Sequence, residues 1–332
     1  MLSATQALDQ NASGKHKDQG SQSSAIAGLV RKLLIDPSTE LRSRPSHKFR
    51  SRLVEIGASL AGDGCYASAE NLAVCSEAIE SLHLGSLIVD DIQDGSLVRR
   101  DGAALHARLG VPHALSVGNW LYFHAMKELS NLDIEDSVLL RLQKEWLTAI
   151  EWAHYGQVMD LATSIEDLAL HEIADVCHYT ALYKTGCISG LAIAMGAMVA
   201  GADETRTAAV RELGCALGVY LQQLNDIGNI LGSFDLEKRY EDLYTLKPTF
   251  VWSLVLDQYG DEAYHKLLGA CRELPCDKTI LAWLETYPLR KIAYDTAGHN
   301  FHKVMQSFLQ DYPDADITAI FALKDRIQKA YA

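Results

Sequence analysis

Long stretches with helical periodicity dominate the chain and restrict the folds open to it. Apolar residues recur at intervals of three and four over residues 72–91, 139–163 and 207–231. This spacing is typical of amphipathic helices, and each stretch is too long for a strand. Alternating β-branched runs are scarce, and only seven prolines occur in 332 residues. The sequence therefore predicts an all-α fold.

The charge balance excludes one class of partner. Thirty basic residues against 43 acidic ones give a formal net charge of -13, whereas proteins that bind nucleic acid present basic surfaces to its phosphates. Small anionic substrates are not excluded, because a local basic site with a divalent metal can overcome a modest global repulsion. Seven cysteines without paired metal spacing indicate reduced core thiols in a cytoplasmic protein.

The chain shows one candidate boundary, near residue 25. Residues 1–25 are polar and aperiodic, which predicts a disordered tail and resembles neither a signal peptide nor a transit peptide. Residues 26–332 contain no convincing linker or repeat, so we expect a single large helical domain. The longest apolar stretch, 186–201, has 16 residues. It is shorter than a bilayer span, which favours a buried core helix and no transmembrane segment.

Three aspartates, Asp90, Asp91 and Asp94, end a strongly apolar stretch. Asp90 and Asp94 are four residues apart and therefore share a helical face. Their charges repel each other and oppose the helix dipole, so a compensating cation is expected. Mg²⁺ fits this role because it binds one or two carboxylates together with phosphate oxygens. The alternative is a solvated helix end, which the preceding apolar run LGSLIV disfavours.

Two adjacent arginines, Arg99 and Arg100, follow the aspartates after a short interval. A guanidinium group can donate two parallel hydrogen bonds to one phosphate. Acids for a metal and arginines for phosphate within one short segment predict metal-bridged diphosphate binding.

These motifs resemble those of the trans-isoprenyl diphosphate synthases, the polyprenyl synthetase family that includes farnesyl and geranylgeranyl diphosphate synthases. The resemblance extends from about Leu41 to Thr249. It implies an all-α isoprenoid synthase fold, a single helical bundle around a central active-site cavity. It also implies Mg²⁺-dependent condensation of isopentenyl diphosphate with an allylic diphosphate to give a linear trans-prenyl diphosphate.

Several ordered motifs carry the resemblance, and it assigns residue roles in three groups. The family positions beyond the first motif are matched by His83, the GQxxDL of residues 156–161, the Lys-Thr pair at 184–185, Gln222, and Lys247 with Thr249. The implied catalytic residues are Asp90, Asp91, Asp94, Lys184, Thr185, Gln222 and Asp226. The implied substrate-binding residues are His47, Lys48, Arg50, His83, Arg99, Arg100, Gln157 and Lys247. The implied metal ligands are Asp90, Asp91, Asp94, Asp160, Asn225, Asp226 and Asn229.

Two motifs depart from the family pattern. The second aspartate motif, DDxxD in the family, here reads Asn225-Asp226-Ile227-Gly228-Asn229. One anion stands where the family has three, so we expect weaker or more selective metal binding with Asp226 as the main ligand. In the altered N-terminal GGKRxRP motif, the family lysine and two arginines are matched by His47, Lys48 and Arg50. Protonated histidine can still donate to phosphate.

Product length is suggested by two small residues. In this family, bulky residues four and five positions before the first aspartate close the pocket below the site. Here these positions are Ser86 and Gly85, roughly 6 to 7.5 Å along the helix from Asp90. Their size predicts a product of C20 or longer. Close helix packing is the alternative explanation.

Two other functions remain open. A class I terpene cyclase is suggested by Asn225, Asn229 and Ser233, which loosely match the cyclase metal pattern, although Ser233 stands where glutamate is expected. A catalytically weak regulatory subunit of a synthase would also explain the depleted second motif. The family is typically homodimeric, and apolar helices such as residues 114–131 could supply the interface.

Overall fold

The computed structural model describes residues 17–46, 48–231 and 239–331. Within these ranges nearly all regular structure is helical, and the strands form one short antiparallel hairpin. The predicted all-α class is therefore confirmed.

The elements follow one another in this chain order. The first half comprises α1 (Lys17–Val30), a π-helical turn (Arg31–Ile35), α2 (Asp36–Ser43), α3 (Phe49–Ser59), α4 (Ala69–Gln93), β1 (Val98–Arg99), β2 (Gly102–Ala103), α5 (Leu105–Leu109), α6 (Val111–Glu128) and a 3₁₀ turn (Leu129–Asn131). The second half comprises α7 (Asp136–Ala162), a 3₁₀ turn (Ile165–Asp167), α8 (Ile173–Ala181), a π-helical turn (Leu182–Gly186), α9 (Cys187–Val199), α10 (Glu204–Leu231), α11 (Glu241–Tyr244), α12 (Phe250–Cys271), α13 (Lys278–Thr286), α14 (Leu289–Asp311) and α15 (Thr318–Tyr331).

The chain groups into two compact units. The first consists of Met1–Lys48 with Glu77–Asn131, and the second of Phe49–Ser76 with Leu132–Ala332. The single domain expected for residues 26–332 stays a prediction.

The first unit has an aliphatic core built on α4 and α6. The buried members come from both helices and from the segments that pack on them: Leu41, Leu84, Ile88, Leu105, Ala114, Val117 and Leu121. The three-to-four spacing within α4 and α6 places these residues on one face of each helix. The core thereby fixes the C-terminal end of α4, which carries the first aspartate motif.

The second unit is organised around α9. All thirteen of its residues are buried, in agreement with the core helix predicted for the apolar stretch 186–201. A Cβ on Gly196 would lie 1.9 Å from the carbonyl oxygen of Val54 in α3. Glycine at this position lets α3 and α9 approach to backbone contact.

Three further expectations concern the tail, the cysteines and membrane spans. Helix α1 begins at Lys17, inside the predicted tail, and residues 1–16 lie outside the described ranges. All seven cysteines are free, but Cys276 is exposed and is not a core residue.

By length and composition alone, Ala69–Gln93 and Ile173–Val199 could each cross a membrane; 78% of the apolar window in the latter is buried inside the protein, as in a core helix. The absence of a transmembrane segment stays a prediction.

Replacing Gly196 by alanine should destabilise the second unit by about 3 kcal/mol, because the new methyl group meets backbone that cannot yield without moving α3. Gly298→Ala in α14 is the matched control, since a Cβ there meets nothing within 4 Å. The control should be neutral or gain up to about 1 kcal/mol from helix propensity. Urea unfolding followed by circular dichroism measures both, and equal midpoints would contradict the close contact.

Candidate active site

The first aspartate motif divides its three carboxylates between two tasks. Asp91 is buried and pairs with Arg99, whose Nε donates to Asp91 Oδ1 over 2.8 Å. Asp90 and Asp94 are only partly buried. Asp90 lies in the last turn of α4, and Asp94 immediately follows the helix, with its N–H donating to the carbonyl of Asp90 over 2.9 Å. Asp90 Oδ2 lies 3.6 Å from Arg99 Nη2. Burial alone would lower the pKa of Arg99, but the hydrogen bond and charge of Asp91, with Asp90 and Asp94, raise it.

Arg100 lies at the tip of the β-hairpin that follows. Burial lowers the pKa of Arg100, and Arg99 adds to this effect, whereas the charge of Glu80 opposes it. Arg100 and Asp101 have φ angles of 52° and 58°, a left-handed conformation that non-glycine residues rarely adopt. The two adjacent guanidinium groups therefore serve different purposes, since Arg99 is used on Asp91.

Asp90 and Asp94 suit a hard divalent cation. They offer two partly exposed carboxylates at the C-terminal end of α4, which matches the few protein ligands that Mg²⁺ takes. Among the described residues, no three His, Cys, Asp or Glu side chains form a ready-made metal site. A metal held by this motif would therefore complete its coordination with water and the oxygens of a bound phosphate.

Gly85, proposed as a chain-length residue, lies against α6. A Cβ on Gly85 would lie 2.9 Å from the carbonyl oxygen of Gly118 and 3.1 Å from Cβ of Leu121. Close helix packing therefore explains this glycine. Ser86 is half-buried, with its hydroxyl donating to the carbonyl of His83 over 2.8 Å, and its role in product length stays a prediction.

In the second unit, Asp160 gathers two lysines. Its Oδ2 lies 2.6 Å from Nζ of Lys184 and 3.4 Å from Nζ of Lys247. Lys184 lies in the π-helical turn between α8 and α9, and such turns are frequent at functional sites. Asp160 thus holds two ammonium groups close together, a geometry suited to an anionic ligand. This is a different use of Asp160 from the metal binding expected for it.

A hydrogen-bond chain links the next three predicted residues. The hydroxyl of Thr185 donates to Oε1 of Gln222 over 2.7 Å, and Nε2 of Gln222 donates to Oδ1 of Asp226 over 2.9 Å. The backbone N–H of Phe250 donates to Oδ2 of Asp226, also over 2.9 Å. Both carboxylate oxygens of Asp226 therefore accept hydrogen bonds from the protein, and Asp226 stabilises the N-terminus of α12.

Asp242 is a further acid in this region and is not among the site residues predicted from the sequence. Burial raises its pKa to about 6, and the charge of Asp160 contributes, although Lys247 and Lys184 oppose the shift. Burial and the charge of Asp242 raise the pKa of Asp226 to about 7. The available signal in the sequence was the position of Asp242, five residues before Lys247. Because Lys247 was predicted to bind substrate, the segment that carries both Asp242 and Lys247 is expected to reach the site.

The two asparagines of the second motif have separate environments. Asn225 is exposed, whereas Oδ1 of Asn229 accepts from the backbone N–H of Asp242 over 3.3 Å. Asn229 therefore helps to hold the short helix α11 that carries Asp242.

The family model for polyprenyl synthetases matches residues 31–281, well over half of the chain. The chain belongs to the polyprenyl synthetase family. Geranylgeranyl pyrophosphate synthase 2 of Zymoseptoria tritici is 29% identical over 263 residues, which cover 76% of this chain and 74% of the relative.

Solved structures show the same fold. Geranylgeranyl pyrophosphate synthetase from Pyrococcus horikoshii matches 98% of this chain and 94% of its own with a TM-score of 0.70 at 17% identity. The geranylgeranyl pyrophosphate synthetase of the archaeon Geoglobus acetivorans also gives a TM-score of 0.70, at 19% identity, over 98% and 96% of the two chains. The predicted isoprenoid synthase fold is confirmed, and this polyprenyl synthetase is a prenyltransferase enzyme. A divalent metal cofactor is consistent with the family.

The remaining predicted residues of this polyprenyl synthetase lie elsewhere in the two units. His47 and Ser233 fall outside the described residues. Lys48 is exposed with a left-handed φ of 42°. Half-buried positions are occupied by His83 on α4, Arg50 on α3 and Gln157 on α7. The structure thus brings together Asp160, Lys184, Thr185, Gln222, Asp226 and Lys247 in one unit, and Asp90, Asp91, Asp94 and Arg99 in the other.

The raised pKa of Asp226 predicts a pH-dependent stability. In the unfolded chain this carboxyl ionises near pH 4, whereas in the folded protein it ionises near pH 7. The folded state therefore binds more protons in this window, and its stability should fall as the pH rises from about 4 to about 7.

Asp226→Asn should weaken that dependence, because the amide does not ionise and the side-chain amide of Gln222 can rotate to match it; the contribution of Asp242, whose pKa is also raised, remains. Urea midpoints of both proteins at pH 5, 6, 7 and 8, with chelator present, measure the effect. Asp316→Asn, on an exposed group whose pKa is lowered by Thr318, is the control. Identical pH profiles for wild type and Asp226→Asn would show that Asp226 does not titrate in this window.

Proposed function

We propose that this polyprenyl synthetase makes a linear trans-prenyl diphosphate, with isopentenyl diphosphate and an allylic diphosphate as its substrates and geranylgeranyl diphosphate (C20) as its product. The observation that carries the proposal is the pair of ammonium groups that Asp160 holds, Lys184 and Lys247. Asp160 and Asp242, whose carboxylates neighbour both lysines, keep the two ammonium groups close together for a diphosphate. The similarity to geranylgeranyl pyrophosphate synthase 2 of Zymoseptoria tritici supports the C20 product.

The side chains of the second unit suit the ionisation of an allylic diphosphate. Lys184 and Lys247 would bind the diphosphate and stabilise the charge that develops as its C–O bond breaks. The hydroxyl of Thr185 donates a hydrogen bond to Gln222, so the lone pairs of the Thr185 oxygen would remain available to a nearby carbocation. The adduct with isopentenyl diphosphate then loses a proton to the departing diphosphate.

The first unit supplies the expected metal and diphosphate ligands. Asp90 and Asp94 would hold Mg²⁺, which when bound neutralises phosphate charge and improves the leaving group. Arg100 would bind the diphosphate of isopentenyl diphosphate directly, because Arg99 is used to neutralise Asp91. His83, on the same helix as Asp90, would contribute a further donor.

The expected partner is a second copy of this chain. Helix α6 exposes Val111, Leu115 and Phe123, and Phe123 is 76% exposed, although such large apolar side chains usually avoid water. We expect light scattering to give twice the chain mass of 36.5 kDa, and Phe123→Glu to reduce it to one chain. A monomeric wild type would contradict the homodimer.

A product assay tests the proposed function. Purified protein with Mg²⁺ receives isopentenyl diphosphate together with dimethylallyl, geranyl or farnesyl diphosphate, and in a separate reaction geranylgeranyl diphosphate alone. Mass spectrometry after phosphatase treatment should detect a linear C20 alcohol. Cyclic products formed without phosphatase would overturn the proposal and show a terpene cyclase.

Asp160→Asn should lower kcat/KM in this assay about 10- to 100-fold, because two ammonium groups without their carboxylate move apart. Glu151→Gln, an exposed acid on the same helix whose partner is Tyr155, is the matched control and should resemble wild type. Equal activities of the two variants would contradict the role of Asp160.

The state of Asp226 favours a second candidate, a catalytically weak subunit that binds diphosphates and regulates an active synthase. Both oxygens of Asp226 are hydrogen-bonded, and the flanking Asn225 and Asn229 carry no charge. Binding of geranyl diphosphate without formation of any product would support this function over the first.

A further inference from the structure

The hairpin that carries Arg100 has an unfavourable turn. Val98 pairs with Ala103 and Arg99 with Gly102, so Arg100 and Asp101 alone form the loop. Both have positive φ, 52° and 58°, as in the two-residue turns that strongly prefer Asn-Gly. Neither arginine nor aspartate favours this left-handed conformation as glycine does. The flanking strands, of two residues each, are too short to impose it. Contacts from outside the hairpin must therefore hold it.

Arg44 supplies these contacts from the segment that follows α2. Its Nη1 donates to the carbonyl of Arg99 over 2.7 Å, and its Nη2 donates to the carbonyl of Ala103 over 3.1 Å. One acceptor lies on each strand, so a single guanidinium joins the strands on both sides of the turn. A Cβ on Gly102 would lie 2.8 Å from Cζ of Arg44, and only glycine leaves room for this approach.

Glu40 fixes the guanidinium in turn. Its Oε1 accepts from Nε of Arg44 over 3.0 Å, and its Oε2 accepts from Arg108. Burial alone would raise the pKa of Glu40, but the hydrogen bonds from Arg44 and Arg108 outweigh it and lower the pKa. Arg44 is therefore bonded through all three of its nitrogens, and its side chain is only 11% exposed.

We propose that Arg44 is a positioning residue that holds the Arg99–Arg100 hairpin in its diphosphate-binding conformation. The inference rests on the proposed function, in which Arg100 binds a diphosphate. Arg44 contacts no substrate; it acts through the two carbonyls that it holds. The hydrogen bond from Arg44 to the carbonyl of Arg99 also keeps Arg99 beside Asp91, because the side chain of Arg99 donates to Asp91.

Arg44→Lys tests the proposal, because an ammonium group keeps the charge but cannot donate in a planar fork to two carbonyls and a carboxylate. We expect KM for isopentenyl diphosphate to rise at least about tenfold while kcat changes less than about threefold. Hydrogen exchange of amides in residues 96–104 should become faster. Arg52→Lys, on an exposed arginine paired with Glu55, is the control and should leave both measurements unchanged.

A second substitution separates positioning from general damage. Asp101→Gly removes the strain at one of the two left-handed positions, so the double variant Arg44→Lys/Asp101→Gly should recover a measurable part of the affinity that Arg44→Lys loses. Recovery supports the proposal. An Arg44→Lys defect that Asp101→Gly leaves unchanged, or hydrogen exchange equal to that of Arg52→Lys, overturns it.

The test is independent of turnover. Binding of inorganic pyrophosphate with Mg²⁺, measured by calorimetry, replaces KM if the wild type forms no product. Absence of product with weakened pyrophosphate binding in Arg44→Lys would reject the proposed function and keep the positioning role. Normal product formation with unchanged KM and unchanged pyrophosphate binding in Arg44→Lys would reject the positioning role alone.

Discussion

The enclosure of Asp226 constrains the second unit more than any other single feature. A buried carboxylate is costly unless it is hydrogen-bonded, and Asp226 meets this requirement with Gln222 on its own helix and the N–H of Phe250 at the start of α12. Thr249, which precedes α12, supplies no side-chain cap, so Asp226 takes that place from another helix. Through Gln222 the same chain reaches Thr185 in the π-helical turn. The residue expected to be the main metal ligand is thus also a structural link between three helical segments.

Much of the fold and part of the site could be predicted from local pattern. Apolar periodicity found the long helices, and ordered motifs found Lys184, Gln222 and Lys247, which lie in one unit. Local spacing could not show which atoms surround a carboxylate, so it missed that both oxygens of Asp226 are used by the protein. It also could not decide between a tunnel and helix packing for Gly85, since both need a small residue. That choice depends on Gly118, which is distant in sequence.

Arg44 shows why the remaining contacts escape sequence reasoning. It binds the carbonyl of a residue 55 positions away, and a carbonyl oxygen is present at every position, so no residue type marks the acceptor. A comparison of free energies shows why this contact matters for the conformation of the hairpin. Two non-glycine residues in the left-handed region cost roughly 1–3 kcal/mol each, and a hydrogen bond from a charged group contributes roughly 1.5–3 kcal/mol. Two such bonds are comparable with the strain of Arg100 and Asp101, so the hairpin depends on Arg44 for its conformation.

The two units divide the charges that diphosphate chemistry requires. In the first unit Arg99 pairs most closely with Asp91, and Asp90 and Asp94 also act on this one guanidinium, so the carboxylates of the motif outnumber its positive charge. In the second unit Lys184 and Lys247 lie beside Asp160. Burial raises the pKa of Asp242 to about 6 and that of Asp226 to about 7, so Asp226 is the acid whose negative charge is reduced most near neutral pH. Of the two asparagines, Asn225 is exposed and Asn229 accepts a hydrogen bond from the backbone N–H of Asp242. The altered second motif replaces two of the three anions of the family pattern by neutral amides, whereas the first motif keeps all three of its aspartates.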